Sequence, residues 1–251
     1  MADLSIKPIK LYGGHLGPNP LKIAIILTLL ELPFEKVFIA FNEVKSPEHE
    51  RINPNGRLPS IYDPNTDLTI WESGAIIEYL IERYDTTEPR KLSFPPLSAE
   101  AQLARSFLYL QVSGQGPYYG QAYWFKKAHP EKLPSAIERY VNEAKRVTGV
   151  LDKWLAQQKE TYQGDIGEGP WLVGNKLSYA DLSFIPWQKQ AHEGFVEDGF
   201  NPEEFPHAKD WLDRMVNKEQ VRPVLESAAQ MMAEKRKQMQ EEAAKEKGTG
   251  Q

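Results

Sequence analysis

Hydrophobic positions repeat in two registers along this chain, and the register changes near residue 85. Upstream, alternating runs exchange with helical spacing. Ile9-Lys10-Leu11-Tyr12 predicts a strand closed by Gly13-Gly14. Leu21 to Leu32, dense in Ile and Leu, predicts an apolar helix. From Phe34 to Phe41, residues Val37, Ile39 and Phe41 share one face at period two, a strand pattern. The polar stretch from Asn42 to Gly56 ends in the turn chemistry of Asn53-Pro54-Asn55-Gly56. Leu58 to Tyr62 and Leu68 to Trp71 are two further strands, joined by a hairpin turn at Pro64-Asn65-Thr66-Asp67. Ile76, Ile77, Leu80 and Ile81 then mark a helix reaching Tyr84. The order βαβ followed by ββα predicts a small α/β sandwich around a mixed sheet.

Downstream the spacing is helical throughout. Pro89, Pro95 and Pro96 mark residues 87–97 as a linker. Ile137, Tyr140, Val141, Ala144, Val147, Leu151, Trp154 and Leu155 recur at three- and four-residue steps, the clearest helix of the chain. Ser178-Tyr179-Ala180-Asp181 resembles a capping box with Asp in place of Glu, opening a helix that turns Leu182 and Ile185 inward. Trp211, Leu212, Met215 and Val216 mark another helix after Pro206. The expected division is an α/β domain over residues 1–86, the linker, an all-helical domain over 98–231, and a polar tail over 232–251 that reads as a solvated helix fraying into disorder.

Composition narrows the function classes. A chain of 251 residues with 41% hydrophobic and 26% charged residues is ordinary globular material, long enough for two small domains. The net charge of -5 argues against a nucleic-acid partner, which favours a basic surplus. Cysteine is absent, so the chain has no disulfide, no Cys-ligated zinc and no thiol nucleophile of its own. No histidines and carboxylates stand at metal-ligand spacing, and no metal is expected. His15 and His129 read as surface residues. The first seven residues lack a signal-peptide pattern, and Ile23 to Leu30 is too short to span a bilayer, so the expectation is a cytoplasmic protein with no membrane partner.

Three short segments carry candidate chemistry. Leu16-Gly17-Pro18-Asn19-Pro20 opens the first helix, where Asn suits the N-cap and Pro the first helical position. A helix start of this kind also attracts anions, and an Asn whose oxygen accepts a capping bond still presents its NH2 as a donor. In Arg57-Leu58-Pro59-Ser60 the proline stands at a strand's start or edge. With a trans bond it is a plain edge residue; with a cis bond it turns the backbone of Leu58 outward to pair with an extended peptide. In Trp71-Glu72-Ser73-Gly74, Ser73 serves as a helix N-cap, or Glu72 and Ser73 together grip the ammonium and carboxylate of an amino acid.

Taken together and in this order, these segments resemble the thioredoxin-like domain of cytosolic glutathione transferases. The helical second half, with Asp181 in a structural capping motif, is similar to their C-terminal domain. Gly17-Pro18-Asn19, Asn53-Pro54-Asn55-Gly56-Arg57-Leu58-Pro59 and Ile70-Trp71-Glu72-Ser73-Gly74-Ala75-Ile76 point to the fungal and bacterial Ure2p-like subgroup, over roughly residues 9–225. The resemblance implies an α/β thioredoxin-like domain followed by an all-α domain, glutathione as co-substrate, and a homodimer. It also implies that Leu58 pairs with the cysteinyl part of glutathione beside a cis Pro59. Glu72 and Ser73 would hold the γ-glutamyl end, Arg57 would contact the tripeptide, and Lys45 would reach the glycyl carboxylate. Asn19 would donate to the sulfur. The serine of theta-like enzymes would fall near Leu16, which cannot donate, and an omega-like cysteine does not exist here. Tyr12 is the alternative sulfur ligand.

The energetics allow Asn19 this role. A thiol with pKa ~8.5 needs about 2.7 kcal/mol of preference for its anion to titrate two units lower. A charge-assisted hydrogen bond supplies ~1.5–3 kcal/mol and a helix N-terminus ~0.3–2. An amide cannot take the proton, so Asn19 is a stabiliser and not a base. Tyr118, Tyr119, Tyr123 and Trp124 cluster after Gly114-Gln115-Gly116-Pro117 and are the expected aromatic wall for a small hydrophobic electrophile. The expected chemistry is conjugation, isomerisation or disulfide reduction, in detoxification or secondary metabolism. A regulatory or ligand-binding protein on the same fold, like Ure2p itself, is the competing expectation.

Overall fold

A computed structural model describes residues 6–14, 17–40 and 42–248; His15, Leu16 and Phe41 lie outside the described residues. The first unit has strands β1 (Ile9–Tyr12), β2 (Phe34–Val37), β3 (Ser60–Asp63) and β4 (Leu68–Trp71) with helices α1 (Pro18–Leu29), α2 (Pro47–Glu50) and α3 (Ser73–Tyr84). The sheet order is β2-β1-β3-β4. β1 runs parallel to β2 and antiparallel to β3, and β3 is antiparallel to β4. This is the mixed sheet that the βαβ–ββα order predicts. The second strand is shorter than its alternation suggests, ending at Val37, and the polar stretch after it contains the short helix α2, capped by the Ser46 hydroxyl.

The second unit is helical: α4 (Ala99–Leu110), α5 (Gly116–Lys127), α6 (Pro134–Thr161), α7 (Tyr179–Gly194), α8 (Pro206–Val216) and α9 (Arg222–Gly248). Between α4 and α5 the chain makes a five-residue π-helical stretch, Gln111–Gln115. The polar tail stays helical as far as Gly248, further than the fraying expected of it. The linker is anchored: the Asp85 carboxylate accepts from the backbone N–H groups of Lys91 (2.7 Å) and Leu92 (2.9 Å), and the Leu92 carbonyl accepts from Tyr179.

One helix explains how the two units fit together. α1 buries Ile23, Ala24, Ile25, Ile26, Leu27 and Leu29, on all its sides. A helix apolar all round has no solvent face. It lies between β1 and α3 on one side and α7 on the other, so the apolar core runs unbroken from Ile9 and Leu11 through α1 to Phe184 and Trp211. At ~1.5–3 kcal/mol per buried large side chain, this helix is the main tie between the units. Its first turn meets open space, and that turn carries Asn19.

Candidate functional site

The first turn of α1 opens into a cleft of about 410 Å³ between the two units, in the range of small-molecule sites. The thioredoxin-like unit lines it with Asn19, Lys22, Asn53, Arg57, Leu58, Pro59, Glu72 and Ser73. The helical unit contributes Val112, Gly116, Pro117, Gly120, Gln121, Trp124 and Trp187.

Gly17 is the N-cap of α1, with φ 90°, a left-handed conformation that glycine adopts at little cost. Pro18 follows at the first helical position, so Asn19 lies one residue inside the helix and not at the cap expected for it. Its side chain is therefore released from capping. Instead its Oδ1 accepts a hydrogen bond from the indole Nε1 of Trp187, 3.0 Å away on α7. An indole N–H can only donate, so it fixes which end of the carboxamide is oxygen. The Nδ2 group is left as a donor on the cleft wall, at the positive end of α1.

Opposite stands the N-terminus of α3. Glu72 is its N-cap, with φ 69° for a residue that rarely adopts positive φ, and buried Ser73 is the first helical residue. The expected N-cap thus shifts one residue upstream. Strained backbone of this kind clusters at ligand sites. The Asn55 amide Nδ2 donates to Glu72 Oε1 at 3.2 Å and turns the carboxylate toward the turn Asn53–Gly56. Within that turn, Asn53 Nδ2 donates to the Arg57 carbonyl at 2.7 Å and Asn53 Oδ1 accepts from the Asn55 N–H at 3.0 Å. The peptide bond between Leu58 and Pro59 is cis. Leu58 also packs on Gly13, where a Cβ would meet Leu58 Cδ1 at 3.0 Å, so Gly13 leaves room for this bend.

Of the residues singled out in the sequence, Asn19, Arg57, Leu58, Pro59, Glu72, Ser73 and Trp124 converge on the cleft. Tyr12 does not line it; half-buried at the end of β1, it pairs with Ser60 across the sheet. Lys45 is exposed and its Nζ donates to the Asn55 carbonyl at 2.8 Å, bracing the turn from outside the cleft. Three of the four aromatic candidates also fall elsewhere. Tyr119 is fully buried in the helical core, its hydroxyl bonded to the Ala144 carbonyl (3.0 Å), Thr148 (3.0 Å) and Gln188 (3.3 Å). Burial pushes that phenol well above its ordinary range. Tyr118 packs against Tyr140, with ring centroids 6.2 Å apart, and Tyr123 is 43% exposed on another side of α5. The reason is helical geometry. Pro117, Gly120, Gln121 and Trp124 stand at i, i+3, i+4 and i+7 and form the one stripe of α5 that meets the cleft. Tyr118, Tyr119 and Tyr123 lie off that stripe.

Lys22, Val112 and Trp187 carry no motif, and sequence reasoning passed over them. Lys22, 1% exposed, is one turn beyond Asn19 on the same face of α1. Its Nζ donates to Gln111 Oε1 at 2.5 Å. Burial lowers its ammonium from 10.5 to about 7, opposed by the field of Glu72. Among the described residues no group of three or more His, Asp or Glu side chains is placed to hold a metal, and no helix is long and apolar enough to cross a membrane.

Similarity to known proteins agrees with this architecture. Residues 7–82 match the family model for the glutathione S-transferase N-terminal domain, and residues 121–228 match that for the C-terminal domain. A glutathione S-transferase-like protein, gedE of Aspergillus terreus, is 58% identical over 219 residues, 87% of this chain and 94% of that one. The protein URE2 of Meyerozyma guilliermondii is 37% identical over 83% of this chain and 76% of its own length. The crystal structure of the glutathione transferase URE2P6 from Phanerochaete chrysosporium, in complex with oxidized glutathione, superposes with a TM-score of 0.80 at 43% identity, covering 89% of this chain and 97% of that one. The chain belongs to the glutathione S-transferase family, in its Ure2p-like branch.

Proposed function

We propose that the chain is an active glutathione transferase in which Asn19 holds the sulfur of bound glutathione as a thiolate at the N-terminus of α1. The observation that carries this is the Trp187–Asn19 bond, which commits Asn19 Oδ1 and leaves Nδ2 as a donor in the cleft. Glu72 and Ser73 take the γ-glutamyl ammonium and carboxylate, the second helped by the N–H groups of α3. The outward backbone of Leu58, beside cis Pro59, pairs with the cysteinyl unit, and Arg57 at the mouth contacts the tripeptide. Lys45 supports the turn and, being exposed, is a secondary contact at most.

The second substrate is a small hydrophobic electrophile lodged against Trp124, Val112 and Pro117. The thiolate attacks its carbon, an S–C bond forms, and the electron pair leaves with the departing group or is protonated after addition. With no thiol in the chain, disulfide reduction runs entirely through glutathione: one thiolate attacks and a second glutathione resolves the mixed disulfide. A homodimer in the cytoplasm is the assembly we infer from the family.

The test is turnover of a panel of electrophiles and of a glutathione mixed disulfide, run beside glutathione affinity. Turnover of either class supports an enzyme. Tight glutathione binding with no turnover of any member would instead make the chain a binding or regulatory protein, as the similarity to URE2 allows.

A further inference from the structure

Lys22 is a lysine placed where lysine is expensive. It stands in the middle of a helix buried on all its sides, 1% exposed, and it lines the cleft beside Asn19. Among the described residues no carboxylate lies within ion-pair distance of it, and Gln111 is its one hydrogen-bond acceptor. An ammonium has three donors and no acceptor, so two of its N–H groups lack a protein partner. A buried charge so poorly paired is destabilising unless something else completes it.

Its surroundings are built for a cation. Lys22 donates to Gln111 Oε1, Gln111 Nε2 donates to Gln115 Oε1 (3.1 Å), and Gln115 Nε2 donates to Gln188 Oε1 (3.1 Å). The Gln188 amide in turn donates to Thr148. Because an ammonium can only donate, the first link fixes Gln111 when Lys22 is charged, and each link then fixes the next. Three buried carboxamides are thereby aligned head to tail, every carbonyl pointing toward Lys22, and such chains strengthen one another. The π-helical stretch lets Gln111 and Gln115 face the same way on one turn. The interior thus supplies dipoles that favour a positive charge, and no negative charge to neutralise it.

We propose that Lys22 is a second thiolate-stabilising residue, its buried ammonium supplying the counter-charge for the sulfur of bound glutathione while Asn19 supplies the hydrogen bond. This rests on the cleft being a glutathione site. The charged groups lining the cleft besides Lys22 are Glu72 and Arg57. With the ligand's ammonium on Glu72 and its γ-glutamyl carboxylate on Ser73 and the N–H groups of α3, the thiolate is the ligand anion left to pair with Lys22 beside Asn19. Where Lys22 begins as the neutral amine, the thiol proton passes to Nζ: the S–H bond breaks, an N–H bond forms, and the net charge of the pair is unchanged.

The test titrates the thiolate ultraviolet absorbance of bound glutathione in the full chain and in Lys22→Met, with S-methylglutathione, which has no titratable sulfur, as the control ligand. We expect the variant's bound thiol pKa to rise by about one unit or more, with S-methylglutathione affinity changed by less than about threefold. A bound thiol that titrates alike in both proteins overturns the role of Lys22 and leaves the glutathione site standing. A wild-type chain that fails to bind S-methylglutathione overturns the site and, with it, the role of Lys22. If the variant does not fold, the reciprocal measurement is made on the wild-type protein with 13Cε-labelled lysine. With glutathione bound, the Lys22 titration midpoint must stand about one unit or more above its value with S-methylglutathione bound, since coupling between two sites is mutual. An unmoved midpoint overturns the proposal.

Discussion

Asp181 and Lys22 are both charged side chains with essentially no exposure, and they are treated in opposite ways. The Asp181 carboxylate, at the start of α7, accepts four hydrogen bonds: from the Leu172 N–H (2.8 Å), Trp211 Nε1 (2.9 Å), the Ser178 N–H (3.0 Å) and the Ser178 hydroxyl (2.9 Å). Burial pushes its carboxyl upward, and each of these donors pulls the other way. Lys22 has one acceptor and an open cleft beside it. A buried charge saturated by its own fold is a folding element. A buried charge left unsaturated at a cavity wall is held for a ligand, and the fold carries its cost in the empty state. The same distinction separates the two ends of the Asn19 amide, one committed to Trp187 and one open.

Removing each charge gives stability changes of opposite sign. Asp181→Ala strands four buried donors, two of them on Ser178 of the α7 capping box, and is expected to lower stability by about 3–5 kcal/mol. Urea unfolding measures it; a loss below about 1 kcal/mol would remove the contrast. Lys22→Met is expected to stabilise the ligand-free protein. The folded ammonium titrates at about 7 against 10.5 for the ordinary lysine. Between those values the unfolded chain binds the extra proton, so this group's contribution to stability rises with pH across that window. The variant lacks the group. It should be more stable by about 2–4 kcal/mol near neutrality, after allowing for the unpaired Gln111 oxygen, with the gap closing toward pH ~10. Parallel urea series at several pH values check both the sign and the window.

Asn19→Ala addresses the open end of the amide. The bound thiol should titrate higher by about one to two units, equivalent to roughly 1.5–3 kcal/mol, while glutathione affinity barely changes. Absorbance titration and calorimetry read the two quantities separately. An unchanged thiol titration would move the role to Tyr12, which lies off the cleft lining and would have to reach it through a rearrangement of β1.

These contrasts bear on what a sequence displays. The strands, α3, α6 and the Asp181 box were legible because each is local: an alternation, a period, or a pair of residues three apart. Asn19, Glu72, Ser73 and Leu58-Pro59 were legible for the same reason, as cap and turn chemistry beside a resemblance. Lys22 was not, since it is one of three polar residues inside Leu21–Leu32, with Thr28 and Glu31, and nothing local sets it apart. Its burial follows only from α7 packing on the far side of α1. Trp187 stands 168 residues from Asn19, and nothing local announces their bond. The aromatic cluster misled because four rings in seven residues surround a helix, whereas the stripe at Pro117, Gly120, Gln121 and Trp124 was present in the spacing.

The smallest expected effect concerns the committed end of the amide, and it separates positioning from contact. Trp187→Phe keeps a ring in the cleft wall and removes the N–H that faces Asn19 Oδ1. The carboxamide can then rotate, and its acceptor end, which repels an anion, spends part of the time toward the sulfur. Losing one neutral hydrogen bond is worth about 1 kcal/mol, so the bound thiol should titrate about half to one unit higher and kcat/KM toward a small electrophile should fall about threefold to fivefold. S-methylglutathione affinity should stay put. Because Trp187 acts on the sulfur through Asn19, adding Trp187→Phe to Asn19→Ala should raise the thiol pKa no further, a non-additivity that a double-mutant cycle resolves. Additive shifts would show Trp187 acting on the sulfur by another route, and the orientation of the Asn19 amide would then not depend on the indole.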